Sequence, residues 1–266
     1  MNVSAFSEPF TPRGVAAFGR AKLGWLLLTQ FVLASLAALT VAWFFHHGCF
    51  PTVEAAIENL PANGEITSGQ LDWSGNPQML AEGRFLAFDV DPEHSGQVRS
   101  TTADFQIEFG RESVRVISLF GYADFFYPSD EIIEFNQTKL DPLWKAWWSA
   151  ILFLIAAATF IILPVTWWIL ATIYFLPVWL IGFFTNRNLN LSASWKLSSA
   201  ALMPGALLMI VGILFYGFGF YLVTLLFVFG AHFVLHWLYL FFGLMFFSRT
   251  SAAVPKGNPF NPSRKR

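Results

Sequence analysis

Apolar residues along this chain come in runs far longer than the core of a small soluble domain needs. Residues 24–45, 146–186 and 197–248 contain no Asp, Glu, Lys or Arg. A helix crossing a hydrocarbon layer needs roughly 20 such residues. The first run predicts one spanning helix over 23–45. The last has a turn signal at Gly217-Phe218-Gly219, flanked by Tyr216 and Tyr221 as aromatic residues suited to a membrane interface. It predicts two helices, over 195–216 and 220–247. The middle run is ambiguous by length, because as one helix it would extend about 60 Å, whereas two crossings and a turn need about 43 residues.

Between residues 46 and 142 the pattern becomes that of a water-soluble domain. Val53, Ala56, Ile57 and Leu60 recur at helical spacing and predict a short helix over 53–60. Alternating or β-branched stretches predict strands over 84–90, 105–109 and 113–117. Turn signals stand at Pro61-Ala62-Asn63-Gly64 and Trp73-Ser74-Gly75-Asn76-Pro77. The fold class expected is an α-helical membrane protein with about four transmembrane helices and an inserted small α+β extracytoplasmic domain, its sheet short and antiparallel.

Charge fixes the orientation of these pieces. Of the 17 acidic residues, 16 lie between His46 and Lys145, with only six basic ones; the remaining segments hold ten basic residues and Glu8. Basic flanks stay on the cytoplasmic side during insertion, so the chain is expected in the cytoplasmic (inner) membrane, N-in and C-in, as a multi-pass protein. The same rule decides the middle run. A hairpin would put Arg187 and Lys196 outside, so one spanning helix over 147–170 is expected, then an apolar segment broken or kinked near Pro177.

The organisation expected is therefore a cytoplasmic segment 1–22, helix 23–45, extracytoplasmic domain 46–142, membrane bundle 143–248 with about three helices, and a basic, disordered cytoplasmic tail 249–266. The N-terminal segment reads equally as an amphipathic turn on the membrane or as a solvated basic flank. The first helix reads as a retained anchor. Its apolar stretch exceeds a secretory h-region, and Trp43, Phe44 and Phe45 make a poor cleavage site.

Within 46–142 the chain resembles an uncharacterised bacterial membrane family, catalogued as domain of unknown function 1189. The resemblance rests on Ile57-Glu58-Asn59-Leu60-Pro61, Ile66-Thr67-Ser68-Gly69-Gln70-Leu71 and Phe88-Asp89-Val90-Asp91-Pro92, with Leu191-Ser192-Ala193-Ser194-Trp195-Lys196-Leu197-Ser198 later on. It implies an anchored exported domain between the first two helices and implies no reaction.

Candidate chemistry is sparse. Asp89 and Asp91 fall on one side of a strand, an arrangement that raises carboxyl pKa values or favours a cation, although a solvated turn explains them more simply. Residues 120–128 are aromatic-rich, with Tyr122, Phe125 and Tyr127 around Asp124, and read as core packing first and, second, as a surface that dips into the outer leaflet or receives a ligand. His232 and His236 share a helix face and read as interhelical hydrogen-bond partners rather than metal ligands. His46, His47 and Cys49 do not match a metal spacing. No metal or other cofactor is expected, and no catalytic motif marks an enzyme. Nucleic acid is a poor fit to an acidic domain. The expected function is a non-enzymatic sensor or accessory protein that sits in the lipid bilayer and binds an envelope protein or small molecule through Asp89, Asp91, Asp124, Tyr122, Phe125 and Tyr127. A transporter or transporter subunit using His232 and His236 is the alternative. An enzyme acting on lipid or cell-wall material through Asp89, Asp91 and Asp124 comes third.

Overall fold

The computed structural model describes residues 10–249; the tail expected to be disordered falls almost wholly outside them. Helix α1 (Pro12–Arg20) leads into α2 (Leu23–Phe44), which runs through a π-turn (Phe45–Cys49) directly into α3 (Phe50–Glu58). Seven strands follow: β1 (Glu65–Thr67), β2 (Gln70–Asp72), β3 (Gln78–Glu82), β4 (Leu86–Val90), β5 (Phe105–Phe109), β6 (Ser113–Ser118) and β7 (Gly121–Phe126). The chain ends in α4 (Gln137–Phe184), α5 (Leu191–Ala201), α6 (Met203–Gly217) and α7 (Leu222–Met245).

Among the described residues four helical stretches are long and apolar enough to cross a membrane: Leu23–Glu58, Gln137–Phe184, Leu191–Gly217 and Leu222–Met245. The architecture is compatible with a helical membrane protein. The middle run differs from expectation, since α4 is helical without interruption for 48 residues through Pro164 and Pro177. A proline deletes one backbone hydrogen bond, whereas opening the helix in apolar surroundings would orphan several backbone groups. The third stretch is divided instead, at Leu202 just before Pro204.

The chain divides into two compact units, one built from residues up to 36, 160–211 and those from 226, the other from 37–159 and 212–225. The first unit is organised by small residues. Ser194, Ser198, Ser199, Ala200 and Ala201 of α5 are fully buried, which lets helices approach closely. Gln30 of α2 is buried there too, with its Nε2 donating to Ser199 Oγ at 2.8 Å and its Oε1 accepting from Trp168 Nε1 at 3.0 Å. One amide thus joins α2, α4 and α5. Helix α1 packs on α5 with Val15, Ala16 and Phe18 buried, so this part of the N-terminal segment is neither a solvated flank nor a free surface helix. Its N-terminus is capped by Thr11 Oγ1, which accepts from Gly14 N.

The second unit carries the sheets. β1 and β2 form a hairpin, and the main sheet has the order β3-β4-β5-β6-β7. It is mixed rather than antiparallel, because β4 and β5 run parallel, Leu86 opposite Phe105 and Val90 opposite Phe109. Parallel neighbours need a crossover, supplied here by loop 91–104. One sheet face meets the core, in which Ala56 and Leu60 pack with Ile66, Leu71, Leu80 and Val90. β7 is an edge strand with all six residues exposed. The expectation that 120–128 is core fails along this strand.

Candidate functional site

The other face of the main sheet is polar and covered. In β5, Phe105, Ile107 and Phe109 point one way, and Gln106 and Glu108 the other. Register places Asp89 beside Glu108, Glu108 beside Arg115, and Arg115 beside Asp124, so a row of four charged side chains crosses four strands. Alternation alone reads such a face as solvated. Yet Asp89 and Asp91 are fully buried, and Gln106 and Glu108 nearly so, because the crossover loop lies over them.

Specific bonds hold that loop down. Asp91 Oδ2 accepts from Ser95 Oγ at 2.8 Å and Gly96 N at 2.9 Å. Gln106 receives Ser100 N and donates to Val98 O. Glu82 accepts from Ser100 Oγ at 2.6 Å and Thr102 Oγ1 at 2.9 Å, an arrangement that holds its carboxyl below the usual range. His94 stands in the left-handed region at φ 50°, which histidine tolerates better than branched residues. Its ring lies against Gly110, where any Cβ would collide with it.

This folding brings together three side chains that the sequence left separate. His94 Nδ1 lies 2.5 Å from Glu108 Oε1, and its Nε2 lies 3.3 Å from Ser113 Oγ. With the proton on Nδ1 facing the carboxylate, Nε2 is free to accept the serine proton, the geometry of a nucleophile, base and orienting acid. His94 and Ser113 line a cleft of about 410 Å³ together with Glu93, Arg111, Arg115 and Asp124. Arg111 pairs with Glu93 at 2.7 Å. Arg115 binds Asp124 through Nε at 2.7 Å and Nη2 at 3.2 Å, and lies 4.4 Å from the Tyr122 ring centroid.

The six candidates within 46–142 therefore separate. Asp89, Asp124 and Tyr122 share the polar face. Asp124 is held below the usual carboxylate range by its bonds to Arg115. Asp91 lies just past β4 under the loop. Its burial pushes the pKa up, but bonds from Ser95, Gly96 and Glu93 outweigh that and bring it down, contrary to the shared upward shift expected of the pair. Phe125 is exposed on the opposite face. Tyr127 donates to Gly110 O at 3.1 Å and packs on the core, and burial pushes its phenol up. His94, Glu108, Ser113 and Arg115 were not singled out. The spacing of Glu108, Ser113 and Arg115 within one hairpin is visible in the sequence, but the parallel β4–β5 pairing that brings His94 over it is not.

The other candidates do not converge on a site of this kind. His236 is buried beside Tyr174, ring centroids 4.9 Å apart. His232 backs onto Gly205. His46 stacks on Trp148, while His47 Nδ1 lies 3.0 Å from Trp43 O. Among the described residues no group of three or more His, Cys, Asp or Glu is arranged to hold a metal ion.

Asp89 gives this face a pH dependence. Burial, with the charges of Glu108 and Asp91 adding to it and the Gln106 bond opposing it, raises its pKa from 3.8 to about 7. Its Oδ2 has no partner among the described residues, so the protonated form is the less costly one to bury. The folded state then binds more protons than the unfolded state between about pH 4 and 7. Stability from this group is present below that window and falls as pH rises through it, by at most about 1.4 kcal/mol per unit. Thermal unfolding of the full chain between pH 5 and 8 is expected to show this decline, and Asp89→Asn to flatten it; an Asp89→Asn slope equal to the wild type would contradict the assignment. No family model, curated protein or solved structure matches this chain.

Proposed function

We propose that this is a multi-pass protein of the cytoplasmic membrane, with four spans and the sheet-bearing segment outside, acting as a binding module for an envelope protein. The charge distribution supports the orientation, since the sheet-bearing segment holds ten more acids than bases. Bases outside that segment collect at helix ends: Arg20 donates to Phe246 O, Arg187 to Phe247 O, and Lys196 to Ala21 O. Membership of the family catalogued as domain of unknown function 1189 would agree with the same placement and adds no reaction.

One observation carries the binding reading. β7 is an aromatic edge strand with unpaired backbone groups along its outer side. Tyr122, Phe125 and Phe126 are exposed by 68%, 60% and 77%, with no lysine or proline to discourage pairing. Asp124 is neutralised by Arg115. Such an edge accepts an extended, apolar segment of a partner by strand addition, and the acidic surroundings favour flanking bases on that segment. A photo-crosslinking residue in place of Phe125 is expected to give a discrete adduct in intact cells, and one in place of Asn76 none. Phe125→Lys should weaken that association about tenfold. Absence of an adduct at Phe125 contradicts the reading.

Hydrolysis of an ester is a second reading, favoured by the Ser113, His94 and Glu108 geometry alone. Ser113 Oγ would bond to the ester carbonyl carbon as His94 Nε2 takes its proton. The carbon–oxygen bond to the leaving alcohol would then break, with His94 returning the proton to that oxygen. Water would release the acid by the same route. An alkyl fluorophosphonate should then label the full chain, and Ser113→Ala should abolish labelling; an unlabelled, folded wild type rules the reading out.

A further inference from the structure

The tip of the β6–β7 hairpin holds two exposed apolar side chains, Leu119 at 62% and Phe120 at 78%. In water such a tip is a liability. Its surroundings differ from those of the edge strand farther along. Ile117 and Leu119 line a cleft of about 290 Å³ together with Tyr221, Leu222 and Val223, the turn and first residues of α7. The far wall is polar, with Arg99, Ser100, Asp104 and Gln106.

Three side chains, Arg84, Tyr216 and Phe85, fix the sheet against this turn. Arg84 Nη2 donates to Gly219 O and to Phe220 O, just past the C-terminus of α6, where a cation is favourable. Tyr216 Oη donates to Asp104 Oδ2 at 2.5 Å. Phe85 packs on Tyr216 and on Phe44, ring centroids 4.8 Å and 5.0 Å away. The hairpin tip is thereby held at the level of the first turn of α7, a helix of 24 residues that is about 36 Å long. If α7 crosses the membrane, that turn lies at the hydrocarbon boundary. Phe218, Phe220 and Tyr221 are all exposed there, as aromatic residues at a membrane interface are.

We propose that this hairpin tip is inserted in the outer leaflet, and that the cleft behind it holds one phospholipid with its phosphate at Arg99 and an acyl chain along Ile117, Leu119, Leu222 and Val223. The apolar wall, Ile117, Leu119, Leu222 and Val223, suits an acyl chain. Arg99 is exposed and makes no hydrogen bond or ion pair among the described residues, so its charge is available to a headgroup. An anionic lipid is therefore preferred over a zwitterionic one. This rests on α7 being a span and is independent of what pairs with β7.

The test uses the full chain with Cys49→Ala and one nitroxide at a time in place of Phe120, Val223 or Ser129, in bilayers of phosphatidylcholine and phosphatidylglycerol. Collision with oxygen is compared with collision with a water-soluble nickel chelate. Phe120 and Val223 should be oxygen-dominated and Ser129 nickel-dominated. A nickel-dominated signal at Phe120 with an oxygen-dominated one at Val223 overturns the insertion alone; nickel dominance at both overturns it together with the span. Retention of phosphatidylglycerol over phosphatidylcholine should fall about fivefold in Arg99→Gln. Equal retention by Arg99→Gln and wild type overturns the headgroup assignment.

Discussion

A hydrocarbon layer about 30 Å thick with no water to satisfy backbone groups is the constraint on which this architecture depends. It explains why α4 stays helical through two prolines in its apolar stretch. It also removes the usual driving force between helices, since lipid tails are as apolar as leucine. Packing then falls to close approach and to the few polar groups present. The buried serines and alanines of α5 supply the first, and Gln30, bonded to Ser199 and Trp168, supplies the second.

The sheet-bearing unit solves the opposite problem. It has a modest apolar core, built from α3, the β1–β2 hairpin and one sheet face, and a second face whose residues are charged yet buried. Covering such a face with a loop is costly unless each group finds a partner. Most do, through Arg115, Gln106, His94 and Ser95, but Asp89 Oδ2 and Asp91 Oδ1 do not. Polar groups that burial has left imperfectly satisfied lie there beside a cleft and a histidine in a left-handed conformation, which is what singles this face out as the candidate site.

Much of the helical part was legible. Charge-free runs are a strong signal, and they locate α2, the turn at 217–219 and α7 to within a few residues. The proline in α4 misled because proline preferences measured in water overstate its effect in apolar surroundings. Strands at 105–109 and 113–117 are visible from alternation and β-branching, the second ending one residue short of β6, whereas aromatic content alone reads β7 as core. Composition cannot distinguish an aromatic core strand from an aromatic edge; the neighbour on the outer side decides that, and β7 has none among the described residues. The polar site was the least legible part. His94 reaches Glu108 and Ser113 only because β4 and β5 are parallel, and no local pattern encodes the direction of a neighbouring strand.

The central claim is a topology in which the acidic, sheet-bearing segment is exported and α4 crosses once. Single cysteines in place of Ser68 and Asn188, in a Cys49→Ala background, test it in intact cells with a membrane-impermeant thiol reagent. Both positions are exposed, so each reports the side of the membrane on which it lies. Labelling at Ser68 and its absence at Asn188, restored on permeabilisation, is the predicted result. Labelling of Asn188 in intact cells would contradict the account.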